Sequence, residues 1–454
     1  MTESSSLTFR LKMNARSELL IVGFIGALAA ITRLYQLGVF PLFPPQFPWL
    51  GDASQSACPA GMTGVFPGLY RDEMSRLCEI AYFPHALTTY EPSMNIVFVK
   101  ITQALVGQNY FADRLPTALA SVLTSVVVYF AAKQLYRSWS AALVSGLYFV
   151  VMTPALVYGR MIYYENLVGL FLAATIYCIA RYENSGGRKW LYLGAVSAAL
   201  APFGKVDGVF VPVFFTIWAL DSNERREKLR PLIVAWAPIV AAGLVILSLV
   251  GTFQGVLQQW DFGLAGREQS LQFLFIQSMP SGYIGTGYIR PDFWYLFGLL
   301  SLGVLLVVGS RVGKLLTEVL FSFVAVSFLS FGISPYYLIM LFPLLALAAG
   351  GGIGYLSKVG TAGALLFYGL FYAPLVGIYT GVAATYIGTN YTLFALNGLL
   401  FVAPAASWLV LNVTSRITIK RNFPLAPLVL AFFFGLLVLG TTILYSYYFS
   451  LRSL

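Results

Sequence analysis

The stretch "RDEMSRLCEI", Arg71 to Ile80, sets Asp72 and Glu73 side by side with Arg71 and Arg76 around them. Charged residues make up only 10% of the chain, so such a cluster stands out. Two further mixed groups follow, Arg160 with Glu165 and Lys205 with Asp207. A carboxylate in such a setting is suited to take a proton from a hydroxyl. A lysine point charge or an arginine fork is suited to hold a phosphate, and Arg267 and Arg290 are further candidates for that work. Neighbouring carboxylates on a helix point in different directions, so Asp72 and Glu73 need not share one role. Plainer readings stand beside these. Asp72 and Glu73 also fit a surface ion-pair cluster, Arg160 an interfacial side chain holding its head in water, and Lys205 with Asp207 a structural pair.

The elements that carry these residues follow from hydrophobicity. The chain has 454 residues, of which 58% are hydrophobic, and long apolar runs recur throughout. Each run is close to the ~20 residues that a helix needs to cross the hydrocarbon core. Runs such as "PLVLAFFFGLLVLGTTILYSYYF" show no period-two alternation, which excludes a membrane barrel. The fold class expected is therefore an all-α polytopic membrane protein, with about thirteen transmembrane helices and interfacial helices in the first external loop. Spans are expected near 19–39, 115–135, 140–158, 166–180, 190–204, 208–220, 231–251, 292–309, 315–333, 336–356, 361–383, 392–412 and 424–447. The division is a cytoplasmic tail over 1–18, a core over 19–350 with external loops at 40–114 and 252–291, and C-terminal helices over 351–454. The first apolar run lacks a small-residue cleavage site and is read as a retained span.

Net charge is +10, and its distribution points to orientation rather than to nucleic acid. With the N-terminus inside, the inner segments gather most of the 28 basic residues and fewer than half of the 18 acids. That bias puts the N-terminus in the cytoplasm and the charged clusters outside the cell membrane. No basic face interleaved with stacking aromatics is present, so no nucleic-acid partner is expected. Cys58 and Cys78 fall in the first external loop as either a disulfide or two free thiols, whereas Cys178 reads as a small core residue. His85 is the only histidine, which argues against histidine-rich metal sites. The "AGGGIG" run at 349–354 lies in an apolar span and reads as a close-packing surface, not a phosphate loop.

Taken in order, several motifs resemble the dolichyl-phosphate-mannose protein mannosyltransferase superfamily. They are Asp72-Glu73 with Arg76, Glu79 and Ile80, then Arg114 to Leu119, then Pro154 through Arg160 to Glu165. "APFGKVDGVFVP" and "SPYYLIMLFPLLALAAG" continue the series, and the resemblance covers roughly residues 20–350. The first loop is most similar to the branch that moves aminoarabinose onto lipid A. The resemblance implies a type C glycosyltransferase that takes a polyprenyl-phosphate-linked sugar outside the cytoplasm and passes it, with inversion, to a protein, lipid or glycan. It implies Asp72 as general base, Glu73 as the group orienting the acceptor or Arg76, and Tyr336 or Tyr337 as a bond to the donor phosphate. Tyr337 equally suits the aromatic belt. Members of the family usually carry a His or Lys before a Pro-Pro-Leu. Here the stretch is Tyr90-Glu91-Pro92-Ser93-Met94, which adds weight to Lys205 as the phosphate contact. No cofactor is expected, although a divalent cation on carboxylates alone is compatible with the residues present. The alternative from another class is a transporter or lipid flippase. Such proteins carry midplane charges and repeated halves, whereas the charges here gather at one face.

Overall fold

The computed structural model describes residues 15–38, 76–77, 80, 93–221, 224–250, 293–330 and 335–356. Among the described residues there are helices and turns but no strand. In chain order they form α1 (Ala15–Leu34), α2 (Met94–Val106), α3 (Tyr110–Tyr136), α4 (Trp139–Val151), α5 (Thr153–Tyr158), α6 (Glu165–Ser185) and α7 (Arg188–Gly204). A 3₁₀ turn at Val206–Val209 leads into α8 (Phe210–Leu220), α9 (Arg225–Val250), α10 (Phe293–Val307) and α11 (Arg311–Ser330). A second 3₁₀ segment, Pro335–Leu341, leads into α12 (Phe342–Leu356).

Every span expected before residue 357 coincides with one or more of these helices. Those expected at 361–383, 392–412 and 424–447 lie outside the described residues, as does most of the loop at 252–291. The helices at Ala15–Leu34 and Tyr110–Tyr136, and the helical stretch Leu338–Tyr355, are each long and apolar enough to cross a bilayer unaided. Leu19, Leu20, Phe24 and Ile31 on α1, and Leu193 and Val196 on α7, point out of the bundle, where water would be a poor solvent and lipid tails a good one. The chain is a multi-pass membrane protein.

Two of the helix boundaries have local causes. The span expected at 140–158 is two helices, interrupted at Met152, because Pro154 has no N–H to offer the Val150 carbonyl, which accepts from Arg33 instead. Helix α2 lies within the range assigned to the first external loop. Its start is set by Ser93, whose Oγ accepts from the Asn95 amide at 3.2 Å, an N-cap that follows Pro92.

Helix α3 is the centre of the bundle, packing against α1, α2, α4, α6 and α12. Asn109 caps it by accepting from the Ala112 amide at 2.9 Å. Pro116, inside the helix, has no N–H for the Ala112 carbonyl. Thr102 Oγ1 on α2 donates to that carbonyl instead, at 2.6 Å, so the proline creates the seam between the two helices. Helix α12 brings the glycine run against its neighbours. A Cβ on Gly350 would meet the Ala141 carbonyl at 2.6 Å, and one on Gly352 would meet the Ser301 Cβ at 2.8 Å. Tyr136 Oη donates to the Leu347 carbonyl at 2.7 Å across the same interface. The small residues are a packing surface, as expected.

The Ser145 hydroxyl, nearest to Gly350, could turn away, but the Ala141 carbonyl and the Ser145 amide behind it are backbone, so turning a side chain does not relieve the overlap. Gly350→Ala is expected to cost about 1–3 kcal/mol, as overpacking does. A lower thermal unfolding midpoint in detergent, against an unchanged midpoint for an exposed-surface control such as Leu193→Val, checks this.

Candidate functional site

Four of the residues singled out from sequence meet at one end of the bundle, where α6 begins and α7 ends. Glu165 is the first residue of α6 and Lys205 directly follows α7. Lys205 Nζ donates to Glu165 Oε1 at 2.5 Å and lies 3.5 Å from Asp207 Oδ2. All three side chains are withdrawn from solvent, Glu165 completely. A charge so buried is tolerable only when it is met by an opposite one and further hydrogen bonds. Among the described residues the buried Glu165 Oε2 has no hydrogen-bond partner.

The approach of the two helix ends depends on Gly204. A Cβ there would lie 3.0 Å from Val168 Cγ2 and 3.2 Å from the Val168 amide nitrogen. The Gly204 carbonyl accepts from Ser93 Oγ at 2.7 Å, and Asn95 Nδ2 donates to the Tyr164 carbonyl at 3.3 Å. The first turn of α2 thus bridges both sides of the ion pair. Sequence reasoning had noted the "YEPSMN" stretch only for its missing basic residue; the available signal was the Pro-Ser start of a capped helix.

The first external loop reaches the same place through Arg76. Its guanidinium carbon sits 4.5 Å from the centre of the fully buried Tyr164 ring, a cation–π contact next to Glu165. Leu77 and Ile80 pack with Ile96, Val99, Ile162 and Tyr164 in a small apolar cluster of its own. Asp72, Glu73, Arg267 and Arg290 lie outside the described residues, as do Cys58 and Cys78. Tyr337 falls on the 3₁₀ segment Pro335–Leu341.

Arg160 does not join Glu165. It turns to the end of α1, donating from Nη1 to the Thr32 carbonyl at 2.7 Å and from Nη2 to the Tyr35 carbonyl at 2.5 Å. Arg114 Nη1 donates to the Leu37 carbonyl at 3.2 Å. Arg33, fully buried, donates from Nε to Ser121 Oγ at 2.7 Å and from its two terminal nitrogens to the Val150 and Phe149 carbonyls, each at 3.0 Å. Carbonyls at the end of a helix lack internal donors and carry the negative end of its dipole, which explains why Arg114 and Arg160 settle there. Burial, and then the nearby Arg114 charge, push the Arg160 guanidinium down to about 10, still protonated at neutral pH. Arg33 was not singled out from sequence; within an apolar span its charge was itself the signal.

Among the described residues no cluster of three or more His, Cys, Asp or Glu side chains is spaced to hold a metal ion. The site is built from an acid–lysine–acid group, a guanidinium over a tyrosine, and three arginines on carbonyls. Lys205→Met would strand the buried Glu165 charge and is expected to cost about 3–5 kcal/mol. The double variant Lys205→Met/Glu165→Gln removes that charge and should recover part of the loss. A double-mutant cycle on thermal midpoints reads the coupling, and additive effects would show that the pair does not act as a unit.

Comparison with known proteins agrees with this architecture. Residues 91–252 match the family model for dolichyl-phosphate-mannose-protein mannosyltransferase. The undecaprenyl phosphate-alpha-4-amino-4-deoxy-L-arabinose arabinosyl transferase of Yersinia enterocolitica is 24% identical over 234 residues, covering 50% of this chain and 39% of that protein. The protein of the same name from Yersinia pestis is 22% identical over 241 residues, 52% of this chain and 42% of its own length. The chain thus spans about two fifths of the length of these curated relatives. The crystal structure of ArnT from Cupriavidus metallidurans bound to undecaprenyl phosphate superposes with a TM-score of 0.61 at 14% identity, covering 96% of this chain and 78% of that one. The apo structure of the same protein gives 0.53 at 13% identity, covering 95% and 77%. At such identity the likeness is one of fold. Residues 91–252 are thus similar to the mannosyltransferase family, and the chain as described shares its fold with the two ArnT structures.

Proposed function

We propose that this protein is an integral-membrane glycosyltransferase that moves a sugar from a polyprenyl phosphate to an acceptor hydroxyl on a protein, lipid or glycan. The observation that carries the reading is the meeting of Arg76, from the first external loop, with Tyr164, Glu165, Lys205 and Asp207 at one end of a bundle with this fold. Relatives whose names specify undecaprenyl-phosphate sugar transfer, and a fold neighbour crystallised with undecaprenyl phosphate, support the donor class.

In this reading Asp72 is the general base. It stands four residues before Arg76, so the chain can carry it no farther than about 14 Å away. The acceptor oxygen forms a bond to the anomeric carbon while its proton passes to the Asp72 carboxylate. The bond from that carbon to the phosphate oxygen breaks, and its electron pair leaves with the polyprenyl phosphate. One displacement inverts the anomeric centre. Glu73 would orient the acceptor or Arg76. The Lys205 charge is already answered by two carboxylates, so the guanidinium groups of Arg76 and Arg160 take the larger share in attracting the phosphate, with Arg267, Arg290 and Tyr337 as further contacts. The reactive end is assigned to the outer face of the cell membrane because the basic loops gather at the other end. A divalent cation is not required by this scheme.

Removal of a positioned base commonly costs 10²–10⁴-fold in rate. Asp72→Asn should therefore lower turnover of a labelled polyprenyl-phosphate sugar by roughly that factor in proteoliposomes, with donor binding unchanged. Turnover within a few-fold of wild type would assign the base elsewhere. Transfer absent from wild type as well, with every acceptor class supplied, would remove the enzyme reading.

A further inference from the structure

At the end of the bundle opposite Glu165, a polar cavity of about 290 Å³ lies where α3, α6 and α8 end and α9 and α11 begin. Most of the charges around it answer one another. Arg311 Nη2 donates to Glu183 Oε1 at 2.7 Å, and Trp218 Nε1 donates to the same oxygen at 3.0 Å. Lys314 Nζ donates to Asp221 Oδ2 at 2.6 Å, and Arg137 Nη2 donates to Asn184 Oδ1 at 2.6 Å. The Lys314 bond holds the Asp221 carboxyl below the usual carboxylate range.

Beside the exposed Arg137, whose charge meets only the neutral Asn184 amide, two lining charges have no ionic partner among the described residues. Lys228 is 8% exposed, and its ammonium meets aromatic faces instead of a carboxylate, 4.6 Å from the Trp218 ring centre and 5.6 Å from that of Tyr182. A cation–π contact is made with the charge and leaves the ammonium N–H groups available. Glu318, one turn beyond Lys314 on α11, lines the same cavity, and among the described residues its carboxylate has neither hydrogen bond nor ion pair. The cavity therefore presents one buried ammonium and one partly buried carboxylate that, among the described residues, have no hydrogen bond or ion pair to an opposite charge, each costly to keep withdrawn from water without a partner.

A molecule bearing one anionic and one cationic group would match both. At the end of a transmembrane bundle that chemistry belongs to a phospholipid head group, and basic pockets between membrane helices commonly take them. The carboxylate selects the cationic end. A primary ammonium can donate hydrogen bonds to Glu318, whereas a quaternary one is better served by an aromatic cage, and the cage here is filled by Lys228. We infer that this cavity binds the head group of a zwitterionic phospholipid, with the phosphodiester on Lys228 and a terminal primary ammonium on Glu318.

The test uses the full chain in phosphatidylcholine nanodiscs doped with phosphatidylethanolamine or phosphatidylglycerol, followed by native mass spectrometry of the lipid retained. Wild type should keep phosphatidylethanolamine in preference to both other lipids. Glu318→Gln, nearly the same shape, should abolish that preference while phosphatidylglycerol retention holds or rises. Lys228→Met should lower retention of phosphatidylethanolamine about tenfold, the effect of losing roughly 1.4 kcal/mol. Should Lys228→Met fail to fold, the Glu318→Gln comparison decides alone. Equal retention of phosphatidylglycerol by wild type, or an unchanged preference in Glu318→Gln, overturns the inference. Soluble O-phosphoethanolamine, added without lipid, should bind far more weakly than the lipid; equal binding would overturn the lipid as occupant.

Discussion

A lysine and a glutamate, both removed from solvent, must be kept together if the bundle is to exist in this form. Lys205 and Glu165 lie at the ends of different helices, 40 residues apart in sequence, and without Lys205 the Glu165 carboxylate would be an uncompensated buried charge. That constraint fixes α7 against the start of α6, and Gly204 supplies the close approach. The start of α6 in turn places Tyr164, the ring under Arg76, and the carbonyl that Asn95 reads. Ser93 closes the arrangement on the Gly204 carbonyl. The first external loop, α2, α6 and α7 are therefore held in register by one ion pair and the hydrogen bonds gathered around it.

The arginines solve a different problem at the same end. Where α1 stops, its last carbonyls have no helical donors left, and in a membrane protein water cannot be counted on to supply them. Arg160 and Arg114 do so from the far sides of α5 and α3, and Arg33 links α1 to α3 and α4 through Ser121, Phe149 and Val150. The Thr117 hydroxyl holds the connecting loop by donating to the Met161 carbonyl at 2.8 Å. Positive charge is thereby concentrated where helices terminate, fastened by carbonyl oxygens that leave its sign intact.

The helical class, the packing role of the glycine run and the gathering of Arg76, Glu165, Lys205 and Asp207 at one end were legible in the residues themselves. Not all of their partners were. Proximity in sequence suggested Lys205 with Asp207, which do pair, and Arg160 with Glu165, whereas Glu165 pairs with the distant Lys205 and Arg160 goes to α1. Periodicity and composition report what a segment needs, namely a lipid face or a counter-charge, but not which distant segment provides it. Helix α2, at 13 residues too short for a span, is of the kind expected as interfacial helices in the first external loop, but composition did not give its bounds. Met152 ends α4 within an apolar run, where Pro154 was the cue.

The charges at this end of the bundle divide by their partners. Lys205 is met by two carboxylates, so its ammonium is not a free anchor for an anion. Arg33, Arg114 and Arg160 each donate to backbone carbonyls, and hydrogen bonding to a carbonyl leaves a guanidinium its full charge. A field built from buried guanidinium groups in surroundings of low dielectric reaches farther than the same charges would in water. Arginine suits that use because it stays protonated even when burial lowers its affinity for the proton. The acid–lysine–acid group then serves geometry, and the arginines serve electrostatics.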